Sequence, residues 1–155
     1  MSSTRSLAIA LVVIAVSSGG AHLAAQRPGD TLPASVGDLT VAQLVEIRDP
    51  AGQVLLHGTL KTSKREPKQT ERKADLVSPT GQRATGKVGI EIDSKNGAVE
   101  KEAVELSFDR LPKMTECQFF LDGRQVSSFT TDKDGKAAVK LERKAASNPV
   151  TPRTP

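Results

Sequence analysis

Few side chains in this 155-residue sequence are of the types that carry out chemistry. The chain has one cysteine, Cys117, and two histidines, His22 and His57. A zinc or copper site needs several His or Cys ligands, so such a site would have to combine His57 with Cys117 on neighbouring strands. A Ser–His–acid arrangement would depend on His57, and no G-x-S-x-G motif is present. We therefore predict no catalytic, cofactor-binding or metal-binding residue.

One short acidic motif is similar to part of a calcium-binding loop. Asp132, Asp134 and Gly135 have the right spacing for the centre of such a loop. In that register the first position is Thr130 and the twelfth is Leu141, where a bidentate Glu is required. The motif therefore predicts a turn with two exposed carboxylates rather than a calcium site.

A run of acidic residues in the middle of the chain could supply the carboxylate pair of a glycosidase. These residues alternate with lysines and apolar residues, and the chain has no Trp or Tyr to form a sugar-binding platform. We interpret the run as the solvated face of a strand. Its members are Glu91, Asp93, Glu100, Glu102 and Glu105.

The segment 61–73, KTSKREPKQTERK, contains six basic residues, two acidic residues and no apolar residue. It predicts a long solvated loop whose charge could contact an anionic polysaccharide, a lipid headgroup or an acidic protein. Nucleic acid is not an expected partner, because no aromatic side chain is interleaved to stack on bases. Gly-rich phosphate-binding motifs are also absent. The candidate contact residues are Lys61, Lys64, Arg65, Lys68, Arg72 and Lys73.

The first 25 residues are typical of an export signal. Arg5 provides the positive charge, Leu7–Val16 is an unbroken apolar run, and small residues follow. We predict cleavage after Ala25, with cleavage after Ala21 as the alternative. The apolar run is about half of the ~20 residues that a spanning helix needs, which favours a cleaved signal over a membrane anchor.

We therefore expect the mature chain to be periplasmic or secreted and not to span a membrane. The only cysteine, Cys117, allows no internal disulfide, and its place in an alternating strand predicts a small buried hydrophobic residue. Loss of Arg5 with the leader lowers the net charge from +4 to about +3, which permits weak attraction to anionic surfaces.

The stretch from Thr115 to Arg143 predicts three strands joined by two tight turns. Asp122-Gly123 is a two-residue hairpin signal, and 132–135 (DKDG) is a second turn. Apolar residues alternate along the first and third strands, so one face of each should be buried. The middle strand, 124–130, is less regular and predicts either a bulge or two partly covered faces.

The preceding chain predicts further short strands separated by turns, namely 41–47, 54–60, 74–77, 87–93 and 98–109. Residues 26–38 are predicted to be a flexible lead-in and 144–155 a disordered tail, because both are rich in Pro and lack periodicity. Residues 39–143 should then form one all-β domain. We predict a single antiparallel β-sandwich of seven to eight strands, with a small β-barrel as the alternative.

The closing stretch resembles a pattern in small secreted bacterial β domains of uncharacterised function. In them a "D-G" hairpin is followed by "T-D-x-x-G-x-A", as in Asp122-Gly123 and Thr131–Ala137 here. The stretch is also similar to hairpins of prealbumin-like and immunoglobulin-like modules. The resemblance covers under a third of the mature chain; it implies an all-β fold and no catalytic residue.

Three functions are compatible with these observations. The first is an exported, non-enzymatic binding domain in the periplasm or at the cell surface, which contacts an envelope protein or an anionic polymer. The second is a structural or accessory subunit of an envelope assembly that pairs through edge strands. The third, a small hydrolase or metalloenzyme, has too few candidate residues to be preferred.

Overall fold

The computed structural model describes residues 30–144, and within them the chain is built almost entirely from strands. The all-β prediction is confirmed, although this range holds ten strands rather than seven or eight. One turn of 3-10 helix spans Ala34–Val36. The predicted export signal, residues 26–29 and the tail from 145 lie outside the described residues. The strands are β1 Asp30–Thr31, β2 Leu44–Arg48, β3 Val54–Thr59, β4 Lys61–Glu66, β5 Gln69–Val77, β6 Thr85–Lys95, β7 Ala98–Asp109, β8 Glu116–Leu121, β9 Arg124–Thr130 and β10 Ala137–Lys144.

The strands form a single sheet that is nearly closed into a barrel. The sheet order is β1-β10-β7-β6-β5-β3-β2-β8-β9, with β4 paired to β5 outside this path. All neighbours are antiparallel except β1 and β10. Residues 131–136 connect β9 to β10, so two strands near opposite ends of the order are joined by a chain that can span only about 20 Å. The sheet must therefore curl until its two edges approach each other.

Alternating apolar residues line the inside of this barrel, as the period-two pattern predicts. Val88, Ile90 and Ile92 of β6 are buried, and so are Phe119 and Cys117 of β8. Phe108 of β7 and Phe129 of β9 stack with ring centroids 4.8 Å apart. This stacking joins strands from the two halves of the sheet across the interior.

Asn-Gly and Asp-Gly turns set the register of two hairpins. Asn96-Gly97 and Asp122-Gly123 have φ angles of 53° and 80°, and of 47° and 76°. Positive φ at both positions matches the right-handed twist of the flanking strands. Both predicted hairpins, β6–β7 and β8–β9, are confirmed.

The lead-in prediction is wrong from residue 30 onward, because this part of the chain packs on the barrel. We call Asp30–Gln43 the N-terminal segment. Its β1 pairs with β10, and its 3-10 helix contacts β9, so it lies across the seam between the two edges of the sheet. It also contributes buried side chains to the core, spaced too irregularly to reveal a strand or helix. These are Leu32, Val36, Leu39 and Ala42.

Arginines from three strands bind main-chain carbonyls of the N-terminal segment. Arg72 of β5 is 7% exposed; its Nη1 donates to the carbonyls of Leu39 (3.1 Å) and Ala42. Arg143 of β10 donates to Pro33 O and Gly37 O, each at 3.1 Å.

Arg124 of β9 supplies the third such contact, from its Nη1 to Ser35 O at 3.3 Å. Arg143 is itself fixed on the inner face by Glu102, with 2.7 Å between Nε and Oε2. Carbonyl groups outside a ladder need donors when they are buried, so Arg72 replaces the missing sheet partners of Leu39 and Ala42. The contacts of Arg124 with Ser35 and of Arg143 with Gly37 are exposed.

The predicted loop 61–73 is also wrong, because these residues form the β4–β5 hairpin. Lys61 pairs with Lys73 and Glu66 with Gln69, leaving Pro67-Lys68 as a two-residue turn. Apolar alternation is missing because, among the strands of residues 30–144, β4 pairs with β5 alone and lies beyond the closed part of the barrel. In β5 the inward position next to Ala74 is taken by Arg72, which hides the true start of the pattern.

The closing stretch contains the predicted strands and turns, but its second and third strands are not partners. β9 pairs with β8, whereas β10 pairs with β7 and β1. The irregularity predicted in β9 is real. The register shifts between Phe119 and Phe120, opposite Val126, and four consecutive β9 residues from Val126 to Phe129 are buried. The strand therefore has both a bulge and two covered faces.

Replacing the buried arginine of β5 should weaken the fold. Arg72→Met would remove donors from the carbonyls of Leu39, Ala42 and Leu60. We expect a loss of about 3 kcal/mol in the free energy of unfolding, since buried acceptors would lose charged donors. Urea denaturation measures this loss. The matched control Arg65→Met, at an exposed residue near the end of the same hairpin, should change it by less than about 0.5 kcal/mol; equal effects would contradict the assignment.

Candidate functional site

A groove of about 1030 Å³ runs over the outer face of the barrel, across β4, β5, β6, β7 and β10. Most of the residues with exposed side chains in its lining are polar, including four lysines and two carboxylates, although carbon atoms form the larger part of the lining surface. Small residues, including Gly89 and Ala138, lie between the lysines. The charged members of its lining are Lys61, Lys73, Asp75, Lys87, Glu105 and Lys140.

Strand register places several of these residues in one row across the sheet. Lys61 pairs with Lys73, Lys73 with Gly89, Gly89 with Glu105, and Glu105 with Lys140. Lys61 and Lys73 thus oppose each other directly on one face, and like charges in that relation destabilise a sheet. Neighbouring Glu71 offsets part of this repulsion, with its Oε2 at 3.3 Å from the Nζ of Lys73.

The far end of the row is an ion-paired cluster. The Nζ of Lys140 lies 3.0 Å from Glu105 Oε1 and 3.3 Å from Glu142 Oε1. Hydrogen bonds that Lys140 donates to Glu105 and Glu142 raise the pKa of Lys140, and those that Glu142 accepts from Lys101 and Lys140 lower the pKa of Glu142. Glu105 is therefore drawn toward Lys140, away from the Lys61–Lys73 pair.

Gly89 forms part of the groove floor, and neither its backbone conformation nor its packing requires a glycine at this position. A Cβ placed at Gly89 meets nothing within 4 Å, and its φ is not positive. The other two glycines inside strands differ. A Cβ at Gly58 would lie 2.5 Å from Asp75 O, and one at Gly86 would lie 2.7 Å from Phe108 Cδ1. Glycine within a strand weakens it, and often marks a place where another molecule approaches closely.

The six basic residues predicted as partner contacts occupy three different places. Lys61 and Lys73 line the groove, whereas Arg72 points inward and is buried. The others stand at the outer half of the β4–β5 hairpin, where Lys64 lies 3.2 Å from Glu66 Oε1. Those other residues are Lys64, Arg65 and Lys68.

Sequence reasoning missed the remainder of the groove. Lys87, Glu105 and Lys140 come from strands far apart in the sequence, so only the pairing brings them together. One local signal was available. Gly89 interrupts the regular strand 87–93 (KVGIEID) at an outward position, where a polar side chain is the ordinary choice.

The pairing of His57 with Cys117 considered above does not form. Cys117 is buried on the inner face, whereas His57 follows the buried Leu56 and points to the outer face. Within residues 30–144 there is no group of three or more His, Cys, Asp or Glu side chains placed to hold a metal ion. The same range contains no helix that is long and apolar enough to cross a bilayer.

The motif that is similar to a calcium loop is a turn held by its own carboxylate. Asp132 Oδ1 accepts hydrogen bonds from the main-chain N–H groups of Asp134 and Lys136, both at 2.8 Å. These bonds lower the pKa of Asp132. Gly135 has a φ of 75°, and a Cβ there would lie 2.1 Å from Leu111 O. The T-D-x-x-G pattern is therefore explained by backbone geometry.

The five acidic residues of the central run are dispersed by the sheet. Glu102 points inward and pairs with Arg143, whereas Glu105 points outward and pairs with Lys140. Glu91 accepts a hydrogen bond from Gln69 Nε2 at 2.6 Å. Glu102 and Glu105, three residues apart, thus have structural partners on opposite faces of the sheet.

Comparisons of the chain with protein-family models, with curated proteins and with solved structures give no significant match.

The Cys117 thiol should be unreactive in the folded protein. Burial, with smaller contributions from Asp49 and Glu116, raises its pKa from 9.0 to about 11. Because the thiolate is the nucleophile, iodoacetamide at pH 8 should alkylate the native protein about a hundredfold more slowly than the urea-unfolded protein.

Rapid alkylation of the native thiol would contradict its burial. The raised pKa also stabilises the fold fully below pH 9, and this contribution is lost as the pH rises toward 11. Cys117→Ala should remove that part of the pH dependence.

Two of the three strand glycines should respond oppositely to alanine. Gly89→Ala should raise the free energy of unfolding by about 0.5 kcal/mol, because the unfolded chain loses freedom and the site has space. Gly58→Ala should lower it by about 2 kcal/mol, since the methyl group would overlap Asp75 O. Urea denaturation of both variants tests this difference. Destabilisation by Gly89→Ala would mean that the glycine serves the fold.

Proposed function

We propose that this chain is an exported, non-enzymatic binding domain that holds an anionic partner against the β4–β5 hairpin and the adjoining groove. The observation that carries the proposal is the direct opposition of Lys61 and Lys73 on one exposed face. Lys64, Arg65 and Lys68 extend the positive charge along the same hairpin. An anionic partner would relieve the repulsion between the two lysines, so the positive charge of the hairpin favours the binding of such a partner.

Export is supported by the sequence of the first 25 residues. A positive residue, a short apolar run and small residues precede Gln26. The expected compartment offers anionic polymers and acidic proteins as partners. Much of the small excess of basic over acidic residues in the chain lies in the hairpin and the groove.

An accessory subunit of an envelope assembly is the second candidate function. Its supporting observation is the free edge of β4, which among the described strands pairs only with β5. An open edge can add a strand from another protein. However, β4 carries Lys61, Lys64 and a register shift between Thr62 and Lys64, and lysines and bulges protect edges from such pairing. The binding domain is therefore preferred.

Charge reversal on the hairpin tests the proposed function. The triple variant Lys64→Glu, Lys68→Glu and Arg65→Glu, made in residues 26–155, should elute from a heparin matrix at lower salt than the wild type. Salt screens exposed charges, so the wild-type retention should itself fall steeply with ionic strength.

The control carries the same change in net charge at exposed residues away from the hairpin. It combines Arg83→Glu, Lys113→Glu and Lys133→Glu. Equal shifts in the two triple variants would reduce the effect to net charge and reject the hairpin as a contact surface. Elution of the wild type from a sizing column as a stable oligomer, lost when Thr62 is replaced by proline, would instead favour the assembly subunit.

A further inference from the structure

We propose that the groove across Gly89 is a binding site for a carboxylated polysaccharide, that is, a chain of sugars bearing carboxylate groups. The inference rests on the proposed binding function and specifies its ligand. It starts from two destabilising features that lie in the same row of residues. Lys61 faces Lys73, and the next position of the row is a glycine that neither φ nor packing requires.

Such choices lower stability, and proteins retain them mainly at functional sites. A glycine at the centre of a strand costs roughly 0.5–1 kcal/mol relative to alanine, and the opposed lysines add repulsion. The glycine and the opposed lysines would both favour binding if a ligand chain lies over Gly89. The missing side chain lets the ligand approach the main chain, and the ligand's anionic groups neutralise the two lysines.

The dimensions of the row require a ligand longer than a single sugar. From Lys61 to Lys140 it crosses four spaces between strands, or about 19 Å. The neighbouring row, Asp75, Lys87, Ser107 and Ala138, lies beside it on the same face. The groove volume of about 1030 Å³ is at the upper end of the range for drug-sized ligands, which suits an oligomer lying across the strands.

The mixture of charges selects sugars over other polyanions. Lys61, Lys73 and Lys87 can each donate charge-assisted hydrogen bonds to a carboxylate. Asp75 and Glu105 in the same groove would repel a polymer that offers only phosphates or sulfates. They accept hydrogen bonds, so they match a ligand that also carries hydroxyl donors.

The groove lining also decides against nucleic acid and peptides. It contains no aromatic side chain on which bases could stack, and the proposed sugar chain is therefore held by its carboxylates and hydroxyls rather than by ring stacking. An acidic peptide would donate from its main-chain amides, which suits the free edge of β4 rather than a groove that crosses five strands. A polymer with alternating hydroxyl and carboxylate groups satisfies both kinds of side chain at once.

The experiment uses residues 26–155 and calorimetric titration with three probes. These are oligogalacturonate, the same oligomer with its carboxylates methyl-esterified, and polyphosphate of similar charge. We expect binding of oligogalacturonate, no detectable binding of the ester, and binding of polyphosphate at least about tenfold weaker. Equal affinity for polyphosphate would overturn the proposed ligand class, as would binding of the neutral ester.

Filling the groove is the structural test. Gly89→Leu should weaken oligogalacturonate binding by about tenfold or more, since its side chain would occupy the floor of the groove. Ala138→Leu, on another strand of the same floor, should have the same effect and serves if Gly89→Leu does not fold. Lys73→Gln should also weaken binding by about tenfold.

The controls separate this inference from the proposed function. Lys113→Gln, at an exposed residue outside both the hairpin and the groove lining, should leave oligogalacturonate binding unchanged. If folded Gly89→Leu and Ala138→Leu bind oligogalacturonate as the wild type does, the groove is not the site. Heparin retention that still depends on the hairpin would then leave the broader function standing.

Discussion

Guanidinium groups that donate to main-chain carbonyls fix the N-terminal segment across the seam between the two edges of this sheet. Arg72, Arg124 and Arg143 come from β5, β9 and β10, and all three bind the N-terminal segment. That segment has only two residues in a ladder, so its carbonyls would otherwise be left to water or unpaired. Since the single cysteine permits no internal disulfide, the seam depends on these contacts and on the apolar residues packed beneath it.

Closure of the sheet also determines what the outer surface can do. The strands beneath the groove, β5, β6, β7 and β10, form a continuous ladder with apolar inner faces in the core. A row of side chains on such strands is positioned more accurately than one on loops. The inner face supplies rigidity, so the outer face can accommodate opposed lysines and a strand glycine at a modest cost in stability.

The sequence predicted local structure well and long-range structure poorly. The Asn96-Gly97 and Asp122-Gly123 hairpins followed from positive φ, and β7 was found with its bounds because its alternation is regular. The hairpin at 61–73 was missed because β4 lies outside the barrel and Arg72 occupies an inward position. The N-terminal segment was missed because arginines distant in sequence, rather than its own periodicity, hold it in place.

Prediction of the groove from the sequence was limited in the same way. Charge density revealed Lys61 and Lys73, but their opposition and the contributions of Glu105 and Lys140 depend on pairings that no local pattern encodes. The T-D-x-x-G motif illustrates the reverse case. Its residues are conspicuous in sequence, and Asp132 and Gly135 prove to be needed by the backbone of one crossover.

The pairing of β1 with β10 has a consequence for the order of folding. Arg143 and Pro33, which meet at the seam, are 110 residues apart in the sequence. Contacts of such separation form late, since the loop between them must be ordered first. The N-terminal segment leaves the ribosome or a translocation channel first. It therefore cannot pack at the seam until β10 is available to pair with it. A chain that ends before β10 therefore has an open seam in its barrel, which exposes it to proteases.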